Sequence, residues 1–396
     1  MNDGEMYTIA LKHYELGEFK QCYILLKILA DKCKNVQINA VTANFLLQVY
    51  AAFQVINTTM GKENPFIDKL CIEHHSISTE LRSHVNKLYC MALLQNKEYK
   101  KSKKYMPYIQ PFLGPNIKPE NMSYFKKNDS NKTLLIYNSG GIGDIIMYSR
   151  FIKNICEREP QNNIIFVVND NLGWMFQDAL KISNLKIVCL SIMKVFPQKY
   201  DYHTNITMLM YHLNLTYETI YIDYYLENIC GNPIDTTNII ETNKRNIIIN
   251  WCGNKANIME QFNRSIELVK LIPVFTAYAN TVNWICIQKH VTKEESDTLH
   301  QNNVKNYGDV FDNDGDAYKD TVTLLKGVDL VITTDTSLAH LAGTMNIPCW
   351  CLLTIGCDWR WTYEKNNWYP NVKTFRQNSL SKWDNVVADV LKELGA

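Results

Sequence analysis

The 396-residue chain has almost no net charge, because 41 lysines and arginines oppose 40 aspartates and glutamates. A protein that binds nucleic acid mainly through phosphates carries a basic excess, so this balance argues against that class. The first residues have neither the basic start nor the apolar core of a secretory signal. The longest weakly charged stretch, residues 40–56, is too short and too polar to cross a bilayer. We therefore expect a cytoplasmic protein without a membrane span or a nucleic-acid partner.

The 12 cysteines include no CxxC pair, and they stand singly in segments with strand-like or helix-like patterns. Without a secretory signal, buried reduced thiols are favoured over disulfides. Cys349, Cys351 and Cys357 lie close enough in sequence to suggest a metal site. However, the first two alternate within an apolar strand-like run, which favours packing.

Other metal and hydrolase signatures are also missing. The sequence contains no HExxH, EF-hand or GxSxG motif. The acidic run at residues 312–316 resembles a DxD metal-diphosphate motif only loosely, and we interpret it as a solvated turn. We therefore expect no metal site.

Hydrophobic residues make up 46% of the chain and charged residues 20%, the balance of a folded protein of about two or three domains. Residues 1–115 have apolar side chains at helical spacing throughout. Two segments, 10–22 and 92–102, resemble the helical hairpin of tetratricopeptide repeats. A generic helical bundle shows the same pattern. The alternatives are such a bundle and a short repeat array, which would bind an acceptor, a partner or a second copy through residues 1–112.

Prolines, glycines and a polar run predict a linker at residues 116–131. Beyond it, apolar runs alternate with amphipathic segments, which is typical of parallel βαβ units. A break near residue 240 divides them into domains at 132–240 and 241–396, and predicts two Rossmann-like domains that face a cleft. Strands are predicted at 132–138, 163–168, 185–190, 247–251, 282–288, 330–334 and 348–354. Helices are predicted at 144–156, 265–275, 293–300, 317–326, 337–345 and 383–394.

A glycine-rich turn, Ser-Gly-Gly-Ile-Gly-Asp at residues 139–144, follows the first predicted strand and opens a helix. Its glycines, among them Gly141 and Gly143, let a ligand approach the backbone, and a helix N-terminus favours an anion. The turn matches neither the GxGxxG dinucleotide motif nor the P-loop. Asp144 has two interpretations: a carboxylate that caps the helix, or a general base at the edge of the cleft.

A second strand-to-helix turn carries hydroxyl groups and a histidine. Asp335, Thr336 and Ser337 follow the strand predicted at 330–334, and His340 lies one turn further on the same helix face. Backbone N–H groups and hydroxyls at a helix start can bind a diphosphate. The alternative is an ordinary helix cap with a surface histidine. The position at the carboxyl end of a strand supports the diphosphate interpretation.

Polar and basic residues follow two further strands of the second half. Asn254 lies in the turn after the strand at 247–251, and Arg264 and Ser265 open the next helix. Gln288 and Lys289 stand where another strand ends. The guanidinium of Arg264 and the ammonium of Lys289 are candidates for phosphate binding, and exposed surface cations are the alternative for both.

The segment Trp359-Arg360-Trp361 is unusually aromatic for a chain of this composition. Aromatic side chains pack into cores, and they also form platforms on which sugar rings stack. Trp359, Arg360 and Trp361 therefore have two possible roles, packing in the core or forming a platform for the acceptor or the sugar.

Several of these segments together resemble one family. In chain order they are GGIGDIIMYSRF, NWCGNKANIMEQFNRSIEL, ICIQK, DLVITTDTSLAHLAGTMNIPCWCLL and DWRW with the later WYP and FRQ. They are similar to tetratricopeptide-linked glycosyltransferases related to bacterial ADP-heptose–lipopolysaccharide heptosyltransferases (glycosyltransferase family 9) and, more distantly, to O-GlcNAc transferases. The resemblance covers roughly residues 132–378. It implies an α/β GT-B fold, with two Rossmann-like domains around a cleft, after an all-α tetratricopeptide-like domain.

The resemblance also implies inverting, metal-independent transfer without a cofactor besides the nucleotide-sugar donor. Asp144 matches the catalytic base of the heptosyltransferases, and the segment 335–340 matches their diphosphate-binding helix start. Arg264 falls where these enzymes have a phosphate-binding lysine. The position therefore still carries a positive charge, but on a planar guanidinium instead of an ammonium group. Lys289 resembles the lysine near the leaving diphosphate in O-GlcNAc transferases, whose histidine near the reaction centre has no clear match here.

We therefore expect a glycosyltransferase that moves a sugar from a nucleotide-sugar to a hydroxyl of a glycan or a protein. One alternative is a non-catalytic GT-B scaffold that recruits partners through its helical repeats. Another is an epimerase or hydrolase, because these enzymes share the phosphate site. The donor base, the donor sugar, the acceptor and the oligomeric state stay open.

Overall fold

The computed structural model of the protein describes residues 2–15, 18–33, 90, 93–94, 98–106, 122–138, 140–254, 264–354, 357–361, 366–379 and 382–395. The chain divides into two compact units. The first comprises Met1–Pro111, Thr354–Glu364 and Gln377–Lys382, and the second comprises Phe112–Leu353, Lys365–Arg376 and Trp383–Ala396. The domain boundaries drawn from the sequence at residues 115, 131 and 240 stay predictions.

The first unit begins with helices. They are α1 Asp3–Glu15, α2 Phe19–Cys33 and the short α3 Tyr99–Ser102. Helices α1 and α2 pack against each other, and Ala10, Cys22 and Leu26 are buried in that hairpin. A helical start was predicted. The tetratricopeptide assignment stays a prediction, because residues 34–89 lie outside the described part of the chain.

The second unit contains two sheets, and all named strand pairs in them are parallel. The first sheet has the order β3-β2-β1-β4. Its strands are β1 Thr133–Tyr137, β2 Asn163–Val168, β3 Leu185–Cys189 and β4 Tyr202–Asn205. The chain runs outward from β1 to β3 and then returns to β4 on the other side of β1. The strand order therefore reverses between β1 and β4, which makes a topological switch point there.

The second sheet has six strands in the order β10-β9-β8-β5-β6-β7. They are β5 Arg245–Asn250, β6 Val282–Cys286, β7 Lys305–Asn306, β8 Leu330–Thr334, β9 Cys349–Leu353 and β10 Val372–Arg376. Counted from β5, this is the doubly wound Rossmann order 3-2-1-4-5-6 read from its other edge. Its switch point lies between β5 and β8, where Asn250 pairs with Thr333.

Helices lie between the parallel strands, and the last one follows β10. They are α4 Ile142–Arg158, α5 Gly173–Ala179, α6 Leu190–Val195, α7 Leu209–His212, α8 Ile272–Ala277, α9 Lys293–Gln301, α10 Lys319–Leu325, α11 Ser337–Thr344 and α12 Asp384–Leu394. Short 3-10 segments occupy Asp170–Leu172, Ile206–Met208, Tyr217–Thr219, Leu268–Leu271 and Trp359–Trp361. β6, β8 and β9 are buried along their whole length, as expected for parallel strands with helices on both faces.

The α/β alternation predicted for the second half of the chain is confirmed, and three strands were not predicted. β4 has the polar sequence Tyr-His-Thr-Asn, β7 has two residues, and β10 has the mixed sequence Val-Lys-Thr-Phe-Arg. None of the three is an apolar run, the pattern that indicates a buried parallel strand. Cys349 and Cys351 lie buried within β9, in agreement with the packing interpretation.

We expect the second sheet to depend on its apolar packing. Ile247 of β5 is fully buried in the core cluster, whereas Ile222 is 59% exposed. Replacing Ile247→Ala removes buried methyl groups and leaves a cavity, so it is expected to lower the free energy of unfolding by about 2–5 kcal/mol. The matched Ile222→Ala change is expected to stay within about 0.5 kcal/mol. Urea unfolding followed by circular dichroism measures both, and equal midpoints would contradict this core assignment.

Candidate functional site

The carboxyl end of β1 leads into α4 through a turn that requires glycine. Gly140 has a φ of +116°, a backbone conformation that residues with side chains rarely adopt. Gly141 is the N-cap of α4. Asp144 is half-buried, and its Oδ2 accepts a hydrogen bond from Gly141 N at 3.1 Å. The carboxylate therefore has the position of a helix cap, and it also stands at the carboxyl edge of the first sheet.

The carboxyl end of β8 leads into α11. Asp335 is buried, and Thr336 is the N-cap of α11 in an extended conformation. The Thr336 side chain does not cap the helix, and its Oγ1 lies 3.0 Å from Thr333 Oγ1 instead. The first N–H groups of α11 therefore donate no hydrogen bond to the N-cap side chain, and they carry the positive end of the helix dipole. An anion suits this position.

The first turns of α4 and α11 are in direct contact through Gly143. A Cβ atom on Gly143 would lie 2.7 Å from His340 Cδ2 and 3.3 Å from Ser337 Cα. Only a residue without a side chain allows this approach. As a result, the switch points of the two sheets meet, and Asp144 lies one residue away from the contact with α11.

Arg264 lies against the start of α11 from the side of β5. A Cβ atom on Gly253 would collide with the Arg264 guanidinium and lie 3.5 Å from Thr336 Cγ2. Arg264 is 8% exposed, so it is not the surface cation that was the alternative interpretation. Its planar donors are suited to bind a phosphate.

A buried hydrogen-bond network supports this edge of the second sheet. Asn250 Nδ2 and the backbone N–H of Cys252 both donate to Gln288 Oε1, at 2.8 and 3.0 Å. Thr333 Oγ1 lies 3.1 Å from Asn250 Oδ1 and also contacts Thr336 Oγ1. The network ties the ends of β5, β6 and β8 to the N-cap of α11. The Gln288 side chain thus holds the turn after β5. A contact between Gln288 and a nucleotide-sugar stays a prediction.

Lys289 is engaged with the loop that follows β7. Its Nζ donates to the carbonyl of Phe311 and to Asn313 Oδ1, the latter at 3.1 Å. This arrangement fixes the loop on the carboxyl side of β6. A role of Lys289 in phosphate binding stays a prediction.

The acidic run at 312–316 is not simply a solvated turn. Asp312 is half-buried and accepts hydrogen bonds from Asp320 N at 2.7 Å and from Thr321 Oγ1 at 2.6 Å, so it orders the start of α10. Burial raises the pKa of the Asp312 carboxyl. The sequence pattern missed this role because the partners follow eight and nine residues later.

Tyr318 also lies at the candidate site, and the sequence did not indicate it. Its hydroxyl forms a hydrogen bond with Ser337 Oγ at the start of α11. Tyr318 has a φ of +65°, an unusual conformation for a bulky residue and one that clusters at functional sites. Burial raises its pKa to about 12, so the hydroxyl stays protonated near neutral pH. No motif marked it, because it lies in a polar loop.

Two further residues support His340. Tyr369 Oη lies 2.9 Å from His340 Nδ1, and the Arg150 guanidinium lies over the Tyr369 ring at 4.7 Å. His340 is 3% exposed, so it is not the surface histidine of the alternative interpretation. Tyr369 and Arg150 fall within the quoted segments WYP and GGIGDIIMYSRF, and spacing alone did not indicate a contact.

The structure brings most of the predicted binding residues to one edge. Those around the α4–α11 contact are Gly141, Gly143, Asp144, Arg264, Asp335, Thr336, Ser337 and His340. Asn254 is exposed in the turn after β5, and Ser265 follows Arg264. Ser139 and residues 255–263 lie outside the described residues.

Trp359, Arg360 and Trp361 belong to the first compact unit. They form a 3-10 segment in which both tryptophans are buried, and Arg360 Nε lies 3.1 Å from Asp358 Oδ1. Their use as an acceptor or sugar platform stays a prediction.

Within the described ranges, no group of three or more His, Cys, Asp or Glu side chains is placed to hold a metal ion. The same residues include no helix that is both long and apolar enough to span a membrane.

No protein-family model matches the chain, and no curated protein matches it. Among solved structures, it is similar to ADP-heptose–lipopolysaccharide heptosyltransferase II of E. coli, with 9% identity and a TM-score of 0.43 over 67% of this chain and 100% of that one. It is similar to E. coli heptosyltransferase WaaC with ADP-2-deoxy-2-fluoro heptose, with 10% identity, a TM-score of 0.44 and the same coverage. A glycosyl transferase family 9 protein from Veillonella parvula has 10% identity and a TM-score of 0.42 over 63% of this chain and 86% of that one.

We expect the substitution Gly143→Ala to disrupt the α4–α11 contact. Alanine normally favours a helix, but here its Cβ would overlap His340, so the free energy of unfolding is expected to fall by about 1–3 kcal/mol. Replacing His340→Ala removes the overlapping atoms. In a double-mutant cycle by urea unfolding, Gly143→Ala is therefore expected to cost less in the His340→Ala background.

Gly141→Ala is the matched control, since its Cβ would meet only Asp144 Oδ2 at 3.7 Å. We expect it to cost at most about 1 kcal/mol, the loss of a good N-cap residue, in either background. Equal costs of Gly143→Ala with and without the histidine side chain would show that the contact is not tight.

Proposed function

We propose that the protein is a glycosyltransferase that moves a sugar from a nucleoside-diphosphate sugar to a hydroxyl group. The proposal is carried by the meeting of two switch points, through the contact of Gly143 with His340 and Ser337. Ligands of doubly wound sheets bind at such points. One side of the contact offers a carboxylate, and the other offers anion-binding groups. Glycosyl transfer needs these two functions, a base and a site for the leaving group. The ordered segments that resemble the glycosyltransferase family support the same proposal.

The donor diphosphate binds at the start of α11 in this proposal. The first N–H groups of the helix, the Ser337 hydroxyl and the His340 imidazole surround the position, and Arg264 adds a buried positive charge beside Thr336. When the bond between the anomeric carbon and the diphosphate breaks, its electron pair moves to the diphosphate oxygen. Donors that are already in place stabilise that charge without reorganisation.

Asp144 acts as the general base. The acceptor oxygen attacks the anomeric carbon from the face opposite the diphosphate, so the configuration inverts, and its proton goes to the carboxylate. With a reference pKa near 3.9, an aspartate is a weak base, but the proton can move late, after the sugar has gained oxocarbenium character. The hydrogen bond from Gly141 N holds Oδ2 at the carboxyl edge of the first sheet.

The proposed transfer needs no metal ion and no cofactor, because Arg264 and the α11 N-terminus supply positive charge at the diphosphate. Turnover that survives chelation with EDTA would support this part of the proposal.

We further propose that the helices of the first unit bind either the acceptor, which is a glycan or a protein, or a second copy of the chain.

We expect Arg264→Ala to weaken nucleoside-diphosphate binding by at least about tenfold, the effect of losing a hydrogen bond to a charged group. Arg245→Ala is the matched control, because Arg245 begins β5 and is exposed at the opposite end of the strand. Isothermal titration calorimetry with ADP, GDP, UDP and CDP measures both. Equal affinities of the two variants would contradict the diphosphate site, and failure of the wild type to bind any of the four would favour the scaffold alternative.

We expect Asp144→Asn to lower the rate of transfer by at least about a hundredfold, because the amide cannot accept the proton. Nucleoside-diphosphate affinity is expected to persist, since the diphosphate groups lie on α11. Asp235→Asn is a suitable control, as that carboxylate only accepts bonds from Thr237 in an exposed turn. Product formation from radiolabelled nucleotide-sugar gives the rates, and near-normal turnover of Asp144→Asn would contradict the base assignment.

A further inference from the structure

A buried arginine on α4 has no role in the mechanism above. Arg150 is 1% exposed, and its described hydrogen bonds go to carbonyl oxygens, from Nε to Met147 at 3.0 Å and from Nη1 to Trp368 at 2.7 Å. Its Nη2 is buried without a hydrogen-bond partner. Burying a cation in this way is costly. The arginine therefore calls for an explanation beyond packing.

The Arg150 guanidinium lies over an aromatic pair that leads toward the site. Its Cζ is 4.7 Å from the centre of the Tyr369 ring and 5.5 Å from that of Trp368, within the range of cation–π attraction. On another side, Gly343 of α11 packs against the Tyr369 ring so closely that a Cβ there would collide with it. The ring is thus held between α4 and α11.

Tyr369 contacts His340 through its hydroxyl. Tyr369 Oη lies 2.9 Å from His340 Nδ1, and the two rings meet edge to face with centres 5.6 Å apart. The opposite edge of the imidazole faces α4, where a Cβ on Gly143 would be 2.7 Å from Cδ2 and 3.4 Å from Nε2. The chain of contacts therefore runs from Arg150 through Tyr369 to the histidine at the start of α11.

The same contacts indicate which ring nitrogen carries the proton. A positive charge beside a phenol stabilises negative charge on its oxygen, so it makes the hydroxyl a better donor. With Tyr369 as donor, Nδ1 of His340 is the acceptor, and the neutral ring carries its proton on Nε2. An N–H group is then presented on the side of the imidazole that faces the first turn of α4, and an anionic oxygen is its natural acceptor.

We infer that Arg150 and Tyr369 are positioning residues that keep His340 protonated at Nε2 and aligned to donate to a diphosphate at the start of α11. The identity of the ligand rests on the proposed function. The protonation state and orientation of the imidazole do not, so they can be tested separately.

The test variant is Tyr369→Phe, which removes only the hydroxyl. Its matched control is Tyr278→Phe, because the Tyr278 hydroxyl donates to Leu391 O of α12 at 2.7 Å and not to His340. Long-range proton–nitrogen NMR of the ¹⁵N-labelled full chain reports which ring nitrogen is protonated, and His340→Gln identifies the signal among the nine histidines. Calorimetry with ADP, GDP, UDP and CDP and thermal melting are measured on the same samples.

In the wild type we expect the His340 signal of a ring protonated at Nε2. In Tyr369→Phe this preference should be lost, and nucleoside-diphosphate affinity should fall about fivefold, the effect of one neutral hydrogen bond. Tyr278→Phe should change neither. The melting temperatures of both variants distinguish a loss of the fold from a loss of the His340 orientation alone.

Arg150 is tested by two substitutions. Arg150→Gln keeps a hydrogen-bond donor but removes the charge, and we expect it to shift His340 toward protonation at Nδ1. Arg150→Lys keeps the cation and should largely restore the wild-type signal. If Tyr369→Phe leaves the His340 nitrogen signals unchanged, the inference is overturned. If the wild type binds none of the four diphosphates but these signals shift as expected, the role of Arg150 and Tyr369 in positioning His340 is supported and the proposed function is contradicted.

Discussion

The close contact between two helix N-termini is the constraint on which the site depends. Gly143 of α4 lies against His340 and Ser337 of α11 at a distance that admits no side chain. Protein interiors are packed densely, so one added methyl group at such a point forces a helix to move. Because each helix begins at the switch point of its own sheet, this single contact sets how near Asp144 lies to the start of α11.

The contact also has an electrostatic consequence. Two helix N-termini place the positive ends of two dipoles near each other, which is unfavourable unless negative charge lies between or beside them. Asp144 supplies one carboxylate on α4, and Asp335 supplies a buried one before α11. Arg264 and Arg150 add buried positive charge. An anion suits this arrangement. The hydrogen-bond network around Gln288 and Thr333 holds the ends of β5, β6 and β8 together at this edge.

Much of the fold and part of the site could be predicted from the sequence. Apolar runs such as Leu330–Thr334 mark buried parallel strands, and a glycine-rich or hydroxyl-rich turn directly after such a run marks the carboxyl edge of a sheet. This pattern predicts the two strand-to-helix turns at residues 139–144 and 335–340. Strands of polar or mixed sequence, such as Tyr202–Asn205 and Val372–Arg376, lack that signal, because they do not form continuous apolar runs.

Contacts across long sequence separations could not be predicted. Tyr369 is 29 residues from His340, and Arg150 is 218 residues from Trp368, so no spacing rule relates them. Gln288 lies at the end of a strand, as predicted, but its side-chain oxygen accepts hydrogen bonds from Asn250 and Cys252. An amide at this position can bind a backbone turn as readily as a ligand, and the sequence does not distinguish the two. Tyr318 lay in a polar loop, and only the folded loop shows its contact with Ser337.

The central claim, that the meeting point of the two sheets binds a diphosphate, is tested most directly by hydrogen–deuterium exchange of the full chain with and without saturating nucleoside diphosphate. Mass spectrometry resolves the exchange of individual segments. The account predicts slower exchange of backbone amides at 140–144, 251–254 and 335–339 on binding, and no change at the opposite edge, for example at Arg245–Asn246. Protection that is absent from these three segments, or confined to other parts of the chain, would contradict it.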